Sequence, residues 1–236
     1  MLKYVYGAET GIRHRRRGEC GADSALALKE GDTLFFALSD GAGSSALSHR
    51  VSQTVVYEAI RLMQGGVSPA DLLTLLAATI REVFSGVDTG DLYATFVGGM
   101  YSERGTLVYT SIGDSVALFR RGGVWHSSPI VKGEFANETV FLLSQGWQDF
   151  AVYGEEKGVD ALVVSSDGLG GIYFFYKMRE DASWYVEVSQ GYLDKLTDAV
   201  CRGSLTYENI GDLLGNEKIM EINDDDKSVV IACHDL

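Results

Sequence analysis

Apolar positions change their spacing several times along the 236-residue chain, and each change marks a different element. Residues 24–29 and 33–39 are short apolar-rich runs on either side of Glu30-Gly31-Asp32, a pattern that predicts two strands joined by a hairpin turn. From 44 to 64 the period becomes four. Leu47, Val51, Val55, Ala59 and Met63 then form one stripe, which predicts a helix. A second helix opens at Ser68, with Pro69 at its first position and Asp71 completing a capping-box pattern. Leu72, Leu76, Ile80 and Val83 give it an apolar face. Residues 92–101, 106–112 and 116–120 return to short runs rich in β-branched and aromatic side chains. Glu103-Arg104-Gly105 and Arg121-Gly122-Gly123 separate them as turns, so the region reads as an antiparallel meander, which 148–153 and 160–165 continue. Residues 189–202 and 206–214 read as helices, and 228–233 as a last apolar strand.

This order lacks strict strand–helix alternation. It predicts an antiparallel α+β sandwich rather than a doubly wound parallel sheet. No break in composition divides the chain, so the expectation is one domain over residues 1–236. The aromatic-rich stretch 172–187 reads either as packed core or as a flap facing a substrate.

Charge and cysteine usage narrow the classes. A formal net charge of −13 argues against nucleic acid as a partner, because a phosphate backbone needs a basic face. The one basic run, Arg13, His14, Arg15, Arg16 and Arg17, is either a solvated loop or a phosphate-binding site. Three cysteines without a CxxC spacing suggest reduced thiols in the cytoplasm. Residues 1–10 lack the pattern of a signal peptide, and no apolar run approaches the ~20 residues of a membrane span. A soluble, cytoplasmic protein with no membrane partner is expected.

The chemistry sits in a phrase written twice. Ser39-Asp40-Gly41-Ala42-Gly43 and Ser166-Asp167-Gly168-Leu169-Gly170 each follow an apolar strand. A carboxylate at the mouth of a buried strand is costly to desolvate unless something compensates it. Each Asp-Gly taken alone is an ordinary turn dipeptide. The repetition, together with Asp23, Gly113-Asp114-Ser115 and the acidic loop Asn223-Asp224-Asp225-Asp226-Lys227, points to an all-oxygen site for a hard cation such as Mg²⁺ or Mn²⁺. The four histidines show no zinc-ligand spacing. Neither a GxSxG elbow nor a Walker A loop is present, and the loose GxGxxA match at Gly41–Ala46 lacks the βαβ context of a dinucleotide site.

In this order the motifs resemble those of the metal-dependent protein phosphatase family, PPM or PP2C. Residues 133–139, Gly133-Glu134-Phe135-Ala136-Asn137-Glu138-Thr139, with Cys20 ahead of Asp23, resemble a bacterial subgroup. The likeness implies a four-layer αββα sandwich of two mainly antiparallel sheets flanked by helices, with two metal ions at one end. It implies that Asp40 bridges both ions, aided by the Gly41 carbonyl. Asp167 and Asp225 would hold one ion, and Asp23 would serve the other through water. The Ser228 position favours Asp225 over Asp224 and Asp226. Asp114 matches a residue tied to a third, weaker ion, but Gly171 stands where a further acid often helps, so two ions are expected. Where the family carries a phosphate-binding arginine this chain has Gly18, which leaves Arg17 or Arg16 for that role. Ala22 replaces a glutamate, and Ala42 a histidine of animal-type members.

The activity so implied is hydrolysis of phosphoserine or phosphothreonine in proteins by a water activated between two cations, with Asp40 and Asp167 as the catalytic carboxylates. The partners implied are a phosphoprotein substrate and a cognate Ser/Thr kinase or its target. Two other readings stand beside it: a phosphatase-like fold serving as a non-catalytic binding or regulatory module, and a phosphatase of small phosphorylated metabolites.

Overall fold

The computed structural model describes residues 1–43, 45–130, 139–181 and 183–234. The chain opens with β1 (Leu2–Glu9) and α1 (Ile12–Arg17), then the hairpin β2 (Asp23–Glu30) and β3 (Thr33–Asp40). Two long helices follow, α2 (Ser48–Gln64) and α3 (Pro69–Val83). The meander comprises β4 (Phe96–Ser102), β5 (Leu107–Ile112), β6 (Val116–Arg121) and β7 (Val124–Ser127), then β8 (Val152–Glu156) and β9 (Val159–Ser165). A second hairpin, β10 (Phe174–Met178) and β11 (Trp184–Val188), precedes α4 (Gln190–Cys201), α5 (Ile210–Leu214) and α6 (Glu217–Ile222). The chain returns in β12 (Lys227–His234).

One sheet has the order β1-β12-β9-β6-β7 and the other β2-β3-β4-β5-β8, with antiparallel pairing throughout both. Alternation along each strand sorts the side chains into layers. In β12, Val230 and Ala232 point between the sheets, while Val229 and Ile231 face outward onto α4 and α5. In β3, Leu34, Phe36 and Leu38 face the other sheet, while Ala37 packs under α2. The stripe Val51, Val55, Ala59 and Met63 of α2 is buried on the second sheet together with Leu72, Leu76 and Ile80 of α3. The result is the expected four-layer αββα sandwich, with three apolar layers between its four tiers. No helix among the described residues is long and apolar enough to cross a membrane.

Several local expectations need correction. Helix α2 begins at Ser48 rather than at 44, because the backbone beyond β3 is still pinned across the sheet: Gly41 N donates to Ala22 O and Ala42 N to Tyr93 O. Ser68 and Pro69 do open α3, but Ser68 Oγ donates to the Asp71 carboxylate (2.9 Å) and caps no backbone N–H. The segment 92–101 splits into a 3-10 turn, Thr89–Leu92, and β4. Likewise the first half of 148–153 belongs to a 3-10 turn, Trp147–Phe150, held by buried Trp147, and the strand starts at Val152. The helix expected over 206–214 is confined to 210–214, because Asn209 Oδ1 accepts Thr206 N and forms a turn first. The basic run is a short helix, α1, not a loop. Cys201 and Cys233 are joined in a disulfide rather than being free thiols, since α4 ends beside β12 and brings two distant cysteines to a Cα–Cα separation of 6.2 Å. Cys20 is free and exposed.

Candidate active site

Antiparallel pairing brings the singled-out aspartates to one end of both sheets. Asp23, the first residue of β2, pairs with Asp40, the last of β3. On the other sheet, Ser166 N donates to Ser228 O and Ser228 N to Ser166 Oγ (3.0 Å), which sets Asp167 beside the loop leading into β12. Asp114 lies in the β5–β6 connection, next to Val116, whose partner is Ser165. A cavity of about 290 Å³ opens here, lined by Asp40, Gly41, Asp114, Asp167, Asp225 and Asp226, with Arg13, His14 and Arg17 of α1 on its rim. Asp23 does not line it. Its carboxylate lies beneath, accepting the Ser228 hydroxyl at 2.8 Å.

The two Asp-Gly glycines are explained by close approach rather than by turning. Neither has a left-handed backbone. A Cβ on Gly41 would run into the Ser48 carbonyl, and one on Gly168 would overlap the Asp226 carbonyl oxygen. Each glycine therefore lets a neighbouring main chain press against the strand end that carries the aspartate.

Within the acidic loop the three aspartates are sorted by what they face. Asp226 is buried and committed to the fold. It accepts Gly11 N (2.7 Å) and Ala22 N (2.5 Å), and His14 Nδ1 lies 2.7 Å from it without the alignment of a hydrogen bond. Asp224 pairs with Arg13 Nε at 2.8 Å. Asp225 opens toward the cavity, with Arg13 Nη1 at 3.3 Å.

Burial dominates the electrostatics, and concentrated like charge adds to it. Burial pushes the Asp40 carboxyl well above the usual range, and the charges of Asp23, Asp167 and Asp114 push it further. Asp23 is raised to about 6, chiefly by burial; the Ser166 and Ser228 hydroxyls oppose the rise and Asp226 adds to it. A carboxyl raised above its unfolded value of 3.8 stabilises the fold below that pH, and this contribution is lost as pH rises through about 6. In chelator, the melting temperature should therefore fall between roughly pH 4 and 6, and Asp23→Asn should flatten that fall. Equal slopes for both proteins would show that Asp23 is not the responsible group.

The sequence offered the whole basic run as a phosphate site and favoured Arg17 or Arg16; Arg13, His14 and Arg17 line the cavity, and Arg16 does not. The signal was available in the spacing. Positions 13, 14 and 17 share one face of a helix, whereas Arg15 turns away to Glu9 at 2.6 Å. Gly18, at the position of the family arginine, is the left-handed C-cap of α1. Tyr176 of β10 was missed. Its hydroxyl donates to the Asp114 main-chain oxygen, and the half-buried ring lies near Asp114, Asp167 and Asp40. The stretch 172–187 thus contains a hairpin whose Phe174 and Tyr176 pack toward the core, while Phe175 on the other face of β10 is exposed. Residues 133–138 lie outside the described residues; Thr139 donates to Asp114 Oδ2 at 2.7 Å.

The donor set is all oxygen, as a hard cation requires, and the raised Asp40 and Asp23 carboxyls mark a site that gains from added positive charge. Among the described residues, no three His, Cys, Asp or Glu side chains form a ready-made metal cage. Asp40, Asp114, Asp167 and Asp225 nevertheless share one cavity.

The layered fold is that of solved bacterial serine phosphatases. One such phosphatase superposes with a TM-score of 0.67 at 14% identity, covering 99% of this chain and 98% of that one. The S. agalactiae serine/threonine phosphatase gives 0.65 at 13% identity, covering 99% of each. The structure of the PP2C phosphatase domain and a fragment of the regulatory domain of the Bacillus subtilis cell fate determinant SpoIIE gives 0.58 at 17% identity, covering 99% of this chain and 61% of that one. A search of curated proteins returns no match. The chain belongs to the protein phosphatase 2C family, whose model matches residues 10–201.

Proposed function

We propose that this protein is a metal-dependent phosphatase of phosphoserine and phosphothreonine in proteins, with residues 1–236 acting as one catalytic unit. The observation that carries the reading is the convergence of Asp40, Asp114, Asp167 and Asp225 from separate strand ends on a cavity rimmed by Arg13 and Arg17. Asp40 with the Gly41 carbonyl, Asp167 and Asp225 would hold two Mn²⁺ or Mg²⁺ ions, with Asp23 supporting through water and Asp114 beside them. Such ions supply Lewis-acid activation of water and neutralise phosphoryl charge.

The chain's own residues do the rest. Arg17, exposed and only loosely paired with Glu19 at 3.8 Å, is placed to take the substrate phosphate; Arg13, released from Asp225, would assist. Asp40 and Asp167 orient the attacking water opposite the seryl oxygen. The P–O bond to that oxygen breaks, and the departing alkoxide takes a proton from solvent. No side-chain nucleophile is required.

The substrate is proposed to be a phosphoprotein, with a cognate Ser/Thr kinase or its target as partner; the likeness to the phosphatase domain of a cell fate determinant supports a regulatory setting. Ala22, Gly18 and Gly171, which stand where the family carries a glutamate, a phosphate-binding arginine and a further acid, favour a second reading, a non-catalytic module of the same fold. Hydrolysis of phosphoserine, phosphothreonine and phosphotyrosine peptides and of small sugar phosphates, in Mn²⁺, separates these. We expect turnover of the first two, abolished by Asp167→Asn. Turnover of sugar phosphates alone would make this a metabolite phosphatase, and no turnover without Mn²⁺ binding would favour the module.

A further inference from the structure

The two end residues of the acidic loop do not line the cavity, yet they hold its shape. Lys227 is fully buried, and its Nζ donates to the main-chain oxygens of Asn223 and Asp225, 2.7 Å each. Asn223 works from the other side. Its Oδ1 accepts Asp225 N at 3.0 Å, and its Nδ2 donates to the Asp167 main-chain oxygen at 3.2 Å. One amide thus ties the backbones of two aspartates that arrive on different strands. Neither Asn223 nor Lys227 lines the cavity.

Burying an ammonium group is costly, and an aliphatic residue of similar volume would pack beside Gly168 without that cost. A polar group kept in such a place must meet a need that packing cannot. Ordering a loop on ligand binding weakens affinity, and groups that orient ligands from behind typically change metal affinity by about 10–100-fold.

We propose that Asn223 and Lys227 are positioning residues, forming a clamp that fixes Asp225 relative to Asp167 before any cation arrives. The inference rests on the reading above, in which those two aspartates share a metal. It differs from simple charge balance, in which Lys227 would only offset the surrounding aspartates. Under charge balance, removing the ammonium tightens cation binding, and Asn223, being neutral, has no effect.

The test is calorimetric titration of Mn²⁺ into wild type, Asn223→Ala and Lys227→Met, with phosphopeptide turnover measured at saturating Mn²⁺. The clamp predicts a Kd for Mn²⁺ raised about 10–100-fold in both variants, with kcat at saturation within a few-fold of wild type. Tighter binding by Lys227→Met with Asn223→Ala unchanged overturns the clamp in favour of charge balance. Unchanged binding in both overturns it outright. If Lys227→Met does not fold, Asn223→Ala carries the same test alone. Failure of wild type to bind Mn²⁺ would instead remove the metal reading, and the clamp with it.

Discussion

Asp40→Asn should keep the fold and lose at least ~100-fold in phosphopeptide hydrolysis. Its main chain is held independently of its carboxylate: Asp40 N donates to Thr95 Oγ1 (3.1 Å) and Thr95 N to Asp40 O (2.8 Å). The carboxylate itself, half-buried at the cavity, lies within the fields of Asp23, Asp167 and Asp114. An amide of the same shape removes a ligand charge and also removes repulsion. Activity and stability should therefore move in opposite directions. In chelator near neutral pH the variant should melt higher than wild type, while in Mn²⁺ it should gain less from the metal. Loss of both activity and metal-free stability would mark Asp40 as a structural residue only. Phosphopeptide turnover and melting in chelator, measured on the same preparation, decide the matter.

Gly168→Ala should be among the most damaging single substitutions in the molecule, costing about 3 kcal/mol or more. The new methyl group would overlap the Asp226 carbonyl oxygen, and that backbone has little room to retreat. Asp226 is anchored by Gly11 N and Ala22 N, and Lys227 behind it is pinned to two main-chain oxygens. Relief of the clash must pull the acidic loop away from Asp167, so metal response should fall together with stability. Gly43→Ala is the control. A Cβ there meets nothing within 4 Å, and its effect on the denaturant midpoint should correspond to less than ~0.5 kcal/mol. Equal midpoints for the two variants would show that the β9 end and the β12 loop do not press together.

Periodic signals carried the sandwich into view. The four-residue stripe of α2 and the strand–turn–strand pattern of β2 and β3 are read from the chain because local pattern and tertiary burial agree there. Strand β1 escaped because its burial is sparse: only Leu2 and Val5 are buried, and its place is set by pairing with β12 at the far end of the sequence. The Cys201–Cys233 pair is a tertiary fact of the same kind. At the site, Asp40, Asp167 and Asp225 were legible because an Asp-Gly or acidic-turn context follows or surrounds each of them in the sequence. Arg13 and His14 were not singled out, since a run of five basic residues hides which face looks inward until α1 forms. Lys227 and Asn223 were invisible for a physical reason: they act through backbone oxygens and N–H groups, which leave no trace in residue type.

The central claim is that strand-end carboxylates hold cations on which phosphoester hydrolysis depends. It is tested most directly by the turnover of a phosphoserine peptide by the purified wild-type protein, stripped with chelator and then titrated with Mn²⁺. No turnover is expected in chelator, with saturable recovery as Mn²⁺ is added, in parallel with a rise in melting temperature. Full turnover in excess chelator would contradict it.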